Sequence, residues 1–308
     1  MRPALVSILR KTTRGTHHPT RRHASVSSEN PPPDNCATLL PGPSILTGTG
    51  KHRPNPGTLF LPGLRSLPFW TAPPSPGGAE GRRRIAYGDG VVSEVVEEAE
   101  GLWENIREEY LALKGNGARE DYVNGGDGGH ATLHDGKWDW HSFMRGGKVE
   151  KDDGPTASCP ASAGLLLGDD GAATTTTTAR HLFRDVPFGY AFFSALGGGS
   201  SIKAHCGPMN LRLRVHLPLI VPSAGVRKEG GRDPPCGIRV GNEIREWEEG
   251  RAIVLDDSFE HEVWNESSDE RVILLFDIWH PDIHPEERER IVEMFRYARK
   301  QGWIGNEK

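Results

Sequence analysis

The chain of 308 residues has few cysteines and no long apolar run. Its four cysteines, Cys36, Cys159, Cys206 and Cys236, are widely spaced and form no CxxC pair, which argues against a disulfide framework or a structural zinc site. Because no run of about 18 apolar residues occurs, the sequence predicts no membrane span. The length predicts one large domain with additional segments, or two small domains.

The first 28 residues lack acidic side chains and carry six basic ones. The formal charge of −5 for the whole chain, less this +6, leaves −11 on the remainder, and an acidic body argues against nucleic-acid binding. The Arg- and Ser/Thr-rich composition indicates either a mitochondrial or plastid transit peptide or a basic disordered tail. We therefore predict a disordered segment at 1–57, and a mitochondrial or plastid location if it is a transit peptide and a cytoplasmic one otherwise.

Residues 58–300 are predicted to form the folded domain, with a core at 188–282. Apolar residues at spacings of three, four and seven predict a helix over 93–113, and a last helix is predicted from Pro285. Short β-type runs predict strands at 189–196, 211–221, 237–240, 251–256 and 271–278. Surface loops are predicted at 114–136, 168–178 and 222–235. This pattern predicts an antiparallel sandwich or barrel flanked by helices.

The stretch HCGPMNLRLRVHL, residues 205–217, alternates apolar and polar side chains. Successive residues of a strand point to opposite faces, so Arg212, Arg214 and His216 share one face and the leucines and valine the other. A polar face directed to solvent would make this an ordinary amphipathic strand. The same face directed into a barrel would require an acidic ligand, because two guanidiniums and an imidazole are costly to bury alone. The alternation leaves both interpretations open.

Two of the thirteen histidines stand out as candidate metal ligands. His205 precedes the polar-faced strand, and His261 follows the strand RAIVLDD within DDSFEHEVW. They are either structural histidines or a metal-binding pair brought together by opposing strands. Arg271 opens the apolar strand RVILLFD, where a guanidinium lies at the rim or is buried against a carboxylate. Its fork-shaped donor geometry suits one end of a dicarboxylic acid.

Three segments, HCGPMNLRLRVHL, CGIRVGNEIREWEEGRAIVLDDSFEHEVWNES and RVILLFDIWHP, closely resemble the aspartyl/asparaginyl β-hydroxylase family. The resemblance is strong over 190–285. It implies a mainly β fold, a double-stranded β-helix (jelly roll, cupin-like) with flanking α-helices. It also implies Fe(II) bound by His205 and His261, with Gly207 where many related oxygenases have a carboxylate. The same comparison implies that Asp257 orients a metal-bound water, whereas its position in DDS would also suit an ordinary turn residue.

The resemblance further implies how 2-oxoglutarate is bound. Arg271 and His216 would hold one of its carboxylates, with Ser194 as a hydroxyl donor. Arg214 shares the face of His216 and would serve the cosubstrate or the substrate. Arg212 would bind a substrate carboxylate.

These assignments imply a 2-oxoglutarate-dependent dioxygenase that uses O2 and hydroxylates a C–H bond, with the β-carbon of an Asp or Asn residue in a protein or peptide as the expected target. A small-molecule or lipid acyl-chain hydroxylase is the alternative within the family. A non-catalytic cupin-like binding module is the alternative outside it, and a zinc hydrolase is disfavoured because no third ligand is evident. Around HDGKWDW the chain lacks the arginine that the family's peptide hydroxylases use for substrate, and the 222–235 hairpin is long. The substrate therefore stays open.

Overall fold

The computed structural model describes residues 51–72, 90–117, 133–150, 154–168, 175–222 and 231–304. Residues 1–50, on which the transit-peptide prediction depends, lie outside the described residues, as do most of the three predicted loops. Within the described ranges no helix is long and apolar enough to cross a bilayer.

The described residues form eleven strands and six helices. The strands are β1 His134–Asp135, β2 Trp138–Arg145, β3 Lys148–Val149, β4 Ala191–Leu196, β5 Ser200–His205, β6 Arg212–Ile220, β7 Cys236–Val240, β8 Glu243–Arg245, β9 Ile253–Leu255, β10 His261–Asn265 and β11 Arg271–Trp279. The helices are α1 Gly90–Gly101, α2 Trp103–Gly115, α3 Pro155–Ser158, α4 Pro160–Leu167, α5 Thr177–His181 and α6 Pro285–Lys300. All five predicted strands and the last helix are present, and the helix predicted over 93–113 is divided into α1 and α2.

The strands form two antiparallel sheets with orders β3-β2-β4-β11-β6-β9 and β1-β5-β10-β7-β8. Within β4 to β11, neighbours in one sheet are β4-β11-β6-β9 and in the other β5-β10-β7-β8. The chain therefore passes back and forth between the two sheets, and strands distant in sequence, such as β4 and β11 or β5 and β10, pair with each other. This is the strand order of a double-stranded β-helix or jelly roll. The predicted mainly β fold with flanking helices is confirmed.

The two faces of β6 pack against different layers. Leu213, Val215 and Leu217 are fully buried in a cluster that includes the apolar stripes of α1 and α2. Burying each of them contributes about 1.5–3 kcal/mol, which directs this face outward to the helices. The opposite face lies between the sheets, so the polar row Arg212, Arg214 and His216 points into the barrel. The alternation found in the sequence is therefore resolved in favour of the interior.

The helical layer is held together by carboxylates at helix N-termini. Glu109 of α2 accepts hydrogen bonds from Ala161 N and Ser162 N at the start of α4. Glu98 of α1 accepts from Thr177 N and Thr178 N at the start of α5. A carboxylate suits these positions because the first N–H groups of a helix lack intrahelical partners. Thr177 and Thr178 are buried, which corrects the prediction that the run ending at 178 is a surface loop throughout.

The segment 51–72 crosses one end of the barrel. Asn55 N donates to Ser258 O at 2.8 Å, and Gly57 N donates to Gly207 O at 3.2 Å. Farther along, Phe69 forms a β-bridge with Leu255. Residues 51–57, assigned above to the N-terminal segment, thus contact the turns that follow His205 and precede His261.

Candidate functional site

The two predicted metal-binding histidines lie side by side. His205 at the end of β5 and His261 at the start of β10 are paired across the sheet, and their ring centroids are 4.1 Å apart. His205 Nδ1 lies 2.7 Å from Lys203 O, and His261 Nδ1 lies 2.9 Å from Phe259 O. Each carbonyl requires a protonated Nδ1, which places the ring's lone pair on Nε2, the atom that would bind a metal.

His261 is electrostatically suited to metal binding. Burial and, to a lesser degree, the neighbouring His205 lower its pKa to about 3, although Asp257 partly opposes both effects. The ring is therefore neutral over the physiological range, which is the protonation state that coordinates a cation.

The described residues offer the histidine pair no third protein ligand. In the part of the chain that the structure describes, no group of three or more His, Cys, Asp or Glu side chains could hold a metal ion. A Cβ at Gly207 would lie 2.6 Å from Asp257 Oδ2 and 2.9 Å from Asp257 O, so no side chain fits at this position without displacement. The Asp257 carboxyl group fills the space that a side chain at position 207 would need. A third ligand from this position is therefore excluded, which disfavours a three-ligand zinc site.

Asp257 is buried and ionised. Arg212 Nη2 lies 2.5 Å from its Oδ2, and Arg214 Nη1 lies 3.4 Å from the same oxygen. Burial alone would raise the pKa of this carboxyl, but Arg212 and Arg214 outweigh it and hold the pKa well below its usual range. Arg212 also contacts Asp277 at 2.9 Å and is 2% exposed. Its predicted contact with a substrate carboxylate does not agree with this burial and pairing, whereas Arg214 keeps part of its side chain exposed.

Deeper in the barrel lies a group of buried donors without hydrogen-bond partners. Arg271 is 1% exposed, its Nε has no partner, and the described residues offer its guanidinium no ion pair. Both ring nitrogens of His216 and the indole nitrogen of Trp247 are also buried and unpaired. The Arg271 guanidinium carbon lies 4.7 Å from the centre of the Trp247 ring. A buried cation without a counter-charge is costly, so this arrangement indicates a site for an anion.

The pKa shifts agree with a pocket that lacks negative charge. Burial lowers the pKa of Arg271 to about 10. Burial, followed by the charges of Arg271 and Arg214, lowers the pKa of His216 well below its usual range.

Ser194 and two tryptophans complete the inner wall. Ser194 is buried on β4 opposite Ile273, and its hydroxyl accepts a hydrogen bond of 2.9 Å from Trp138 Nε1. The sequence analysis did not identify Trp138 or Trp247 as site residues. The local patterns WDW and REWEEG do not distinguish a tryptophan beside a polar pocket from one in an apolar core. The contacts of Trp138 with Ser194 and of Trp247 with Arg271 show that both line the pocket.

Asp256 is a second buried carboxyl group beside Asp257. Its Oδ1 accepts hydrogen bonds from Ser258 N at 3.0 Å and Ser258 Oγ at 2.5 Å, whereas its Oδ2 is buried without a partner. Burial and, to a lesser degree, the charge of Asp257 raise its pKa to about 7. The folded protein therefore retains a proton here that the unfolded chain releases near pH 4.

We expect this proton to make stability depend on pH. The pKa of Asp256 is raised on folding, so its contribution is complete below about pH 4 and is lost as the pH rises toward about 7. Asp256→Asn should remove this dependence, so that the variant gains free energy of unfolding relative to wild type between pH 4 and 8. Thermal unfolding at a series of pH values measures the difference. Asp135→Asn, at an exposed site, is the control, and parallel wild-type and Asp256→Asn curves would contradict the expectation.

Comparison with known proteins identifies one family. The family described as aspartyl/asparaginyl beta-hydroxylase matches residues 100–281. The mouse protein named aspartyl/asparaginyl beta-hydroxylase is 33% identical over 230 residues, which is 73% of this chain and 25% of that protein. The mouse aspartate beta-hydroxylase domain-containing protein 2 is 37% identical over 115 residues, 36% of this chain and 30% of that protein. The chain thus spans about a quarter of the length of the first of these relatives.

Solved structures include distant likenesses. The crystal structure of a Pseudomonas putida prolyl-4-hydroxylase is 15% identical, with a TM-score of 0.33, over 62% of this chain and 98% of that one. A TM-score this low carries no weight for fold or function, so the fold assignment stands on the strand order.

Proposed function

The chain belongs to the aspartyl/asparaginyl β-hydroxylase family, and we propose that it is an Fe(II)- and 2-oxoglutarate-dependent dioxygenase that hydroxylates a C–H bond. The observation that carries the proposal is the buried Arg271, for which the described residues supply no counter-charge, together with His216 and Trp247, in the same barrel as the two adjacent imidazoles of His205 and His261. A binding site for a divalent cation and a binding site for a carboxylate in one barrel match what this chemistry needs.

The residues present fit a ferrous ion. His205 and His261 would supply two imidazole nitrogens, and the absence of a residue-207 side chain would leave further coordination positions to small ligands. Asp257 is ionised and lies beside the pair, where its carboxylate can accept a hydrogen bond from a metal-bound water. When bound together, Fe(II) and 2-oxoglutarate supply the activation of O2, in which 2-oxoglutarate is converted to succinate and CO2 as the substrate is hydroxylated.

The same barrel fits a keto-diacid. Arg271 would form a charge-assisted hydrogen bond with the carboxylate distant from the metal, and the Ser194 hydroxyl and Trp247 indole N–H are further candidate donors. Neutral His216 would donate one N–H without adding a second buried charge. Each buried donor that now lacks a partner would gain one, which offsets its desolvation. The surrounding aromatic rings, among them Trp140 stacked on Phe192 at 4.0 Å, exclude water from the interior.

For the substrate, we propose the β-carbon of an Asp or Asn residue in a protein or peptide that bears a carboxylate. Family membership supports this choice, and Arg214, the partly exposed member of the arginine row, is the candidate contact. A small acid or a lipid acyl chain is the alternative substrate class, and a non-catalytic cupin-like binding module is the alternative function.

The proposal is tested by anaerobic titration of the protein with Fe(II) and 2-oxoglutarate, followed by a succinate-release assay. We expect a metal-to-ligand charge-transfer absorption that needs both components, and succinate release stimulated by Asp- or Asn-containing peptides more than by fatty acyl or small-acid panels. If only fatty acyl compounds stimulate succinate release, the substrate is an acyl chain and not an Asp or Asn residue. Failure to bind Fe(II) and 2-oxoglutarate together would favour the binding module.

A further inference from the structure

Four charged side chains, three of them buried and Arg214 partly exposed, join β6, β11 and the turn before β10. Arg212 bridges two carboxylates: its Nη2 lies 2.5 Å from Asp257 Oδ2, and its Nη1 lies 2.9 Å from Asp277 Oδ2. Arg214 joins the same two acids, at 3.4 Å to Asp257 and 2.8 Å to Asp277. Two positive and two negative charges make the cluster neutral, which permits its burial.

The two carboxylates are held with unequal strength. Asp277 accepts four hydrogen bonds, from Arg212 Nη1, from Arg214 Nε and Nη2, and from Tyr190 N, at 2.8–3.1 Å. It lies in β11, which pairs with strands on both sides. Asp257 lies in a turn, and its contacts with the arginines other than the one at 2.5 Å are 3.4 Å long. Asp277, in a strand, is therefore the more firmly held carboxylate. The position of Asp257, in a turn, depends on the arginines that Asp277 holds.

Asp257 is the carboxylate of the cluster that faces the histidine pair. The Asp257 carboxylate occupies the space where a side chain at Gly207, two residues after His205, would point. Its charge also acts on His261. A shift of this carboxylate would change the surroundings of both rings, and Asp277 contacts the two guanidiniums that pair with Asp257.

We propose that Asp277 is a positioning residue that acts through Arg212 and Arg214 to hold the Asp257 carboxylate beside the His205–His261 pair. The inference rests on the proposed metal-binding role of that pair. It assigns Arg212 to the interior of the protein and away from the substrate. Stability alone does not account for such a cluster, because apolar residues of the same volume are often at least as stabilising as buried ion pairs.

The first test is Asp277→Asn, which keeps the shape of the side chain and removes its charge. We expect kcat for succinate formation to fall about 10- to 100-fold, as is usual for partners that orient a metal site, and KM for 2-oxoglutarate to change less than 3-fold. Because removing one member of a buried ion cluster destabilises the fold, Arg212→Lys is the second variant, since lysine keeps the charge but cannot bridge two carboxylates.

A measurement independent of turnover separates this proposal from the proposed function. The ring nitrogen NMR signals of His261 in the metal-free protein, identified by their loss in His261→Ala, should shift in Asp277→Asn, in Arg212→Lys and in Asp257→Asn. In the double variant Asp257→Asn/Asp277→Asn, the signals and kcat should match those of Asp257→Asn alone, because coupled residues are not additive. Glu109→Gln, which weakens a partly buried carboxylate contact in the helical layer, controls for loss of stability.

Two results would overturn the inference. One is that the His261 ring nitrogen signals of Asp277→Asn coincide with those of wild type, or that Glu109→Gln shifts these signals by the same amount. The other is a double variant in which the two single effects simply add. Should wild type release no succinate with any substrate, the oxygenase assignment fails, while the NMR comparison still decides whether Asp277 positions Asp257.

Discussion

Replacing His261 with alanine is expected to abolish Fe(II) binding and succinate formation coupled to 2-oxoglutarate. The described residues supply only two imidazoles and no adjacent third protein ligand, so the variant would retain a single one. The loss should exceed the roughly 10- to 100-fold effect of changing an outer partner of a metal site. Anaerobic Fe(II) titration and the succinate assay measure it.

The control for this variant is His181→Ala on α5. His181 is also partly buried and hydrogen-bonded to a backbone carbonyl, Thr177 O at 3.0 Å, but lies outside the barrel interior. It should retain wild-type Fe(II) affinity and turnover. Comparable melting temperatures for the two variants would show that the loss in His261→Ala is a loss of the metal. Turnover at the wild-type rate in His261→Ala would show that His261 does not bind the metal.

Replacing Arg271 with methionine is expected to weaken 2-oxoglutarate binding severely while leaving the ligand-free protein as stable as wild type or more so. Losing one partner of a buried charge pair costs about 2–5 kcal/mol of binding free energy, which is roughly a 30- to 4000-fold rise in Kd. In the ligand-free protein the same change removes a buried cation to which the described residues give no counter-charge, so the melting temperature should not fall.

Arg271→Lys is the matched control because it keeps the charge and loses the fork-shaped donor geometry. Its affinity for 2-oxoglutarate should lie between those of wild type and Arg271→Met. Isothermal titration under anaerobic conditions and thermal unfolding without ligand provide the two measurements. An unchanged affinity in Arg271→Met would show that the cosubstrate binds elsewhere, and a large fall in melting temperature without ligand would show that Arg271 stabilises the empty fold.

Much of the architecture could be predicted from local patterns. Alternation, short apolar runs and turn residues predicted the main strands after residue 188, because side chains of a strand alternate between its faces and a strand covered on both faces reads as a short apolar run. The short strands β5 and β10 were missed, although they carry the histidine pair. Their sequences SSIKAH and HEVWN contain too few alternating residues to stand out, and they become strands only through pairing with each other and with β7.

Local sequence determined that Arg212, Arg214 and His216 share one face of β6, because the side-chain period of a strand is two. Only the tertiary structure decided that this face is internal and how its charges are balanced. Arg212 and Arg271 are both buried arginines on inner strand faces, yet among the described residues Arg212 is paired with two carboxylates and Arg271 with none. The partners of Arg212 lie 45 and 65 residues away, and no local pattern specifies contacts over that distance, because they depend on which strands the fold brings together.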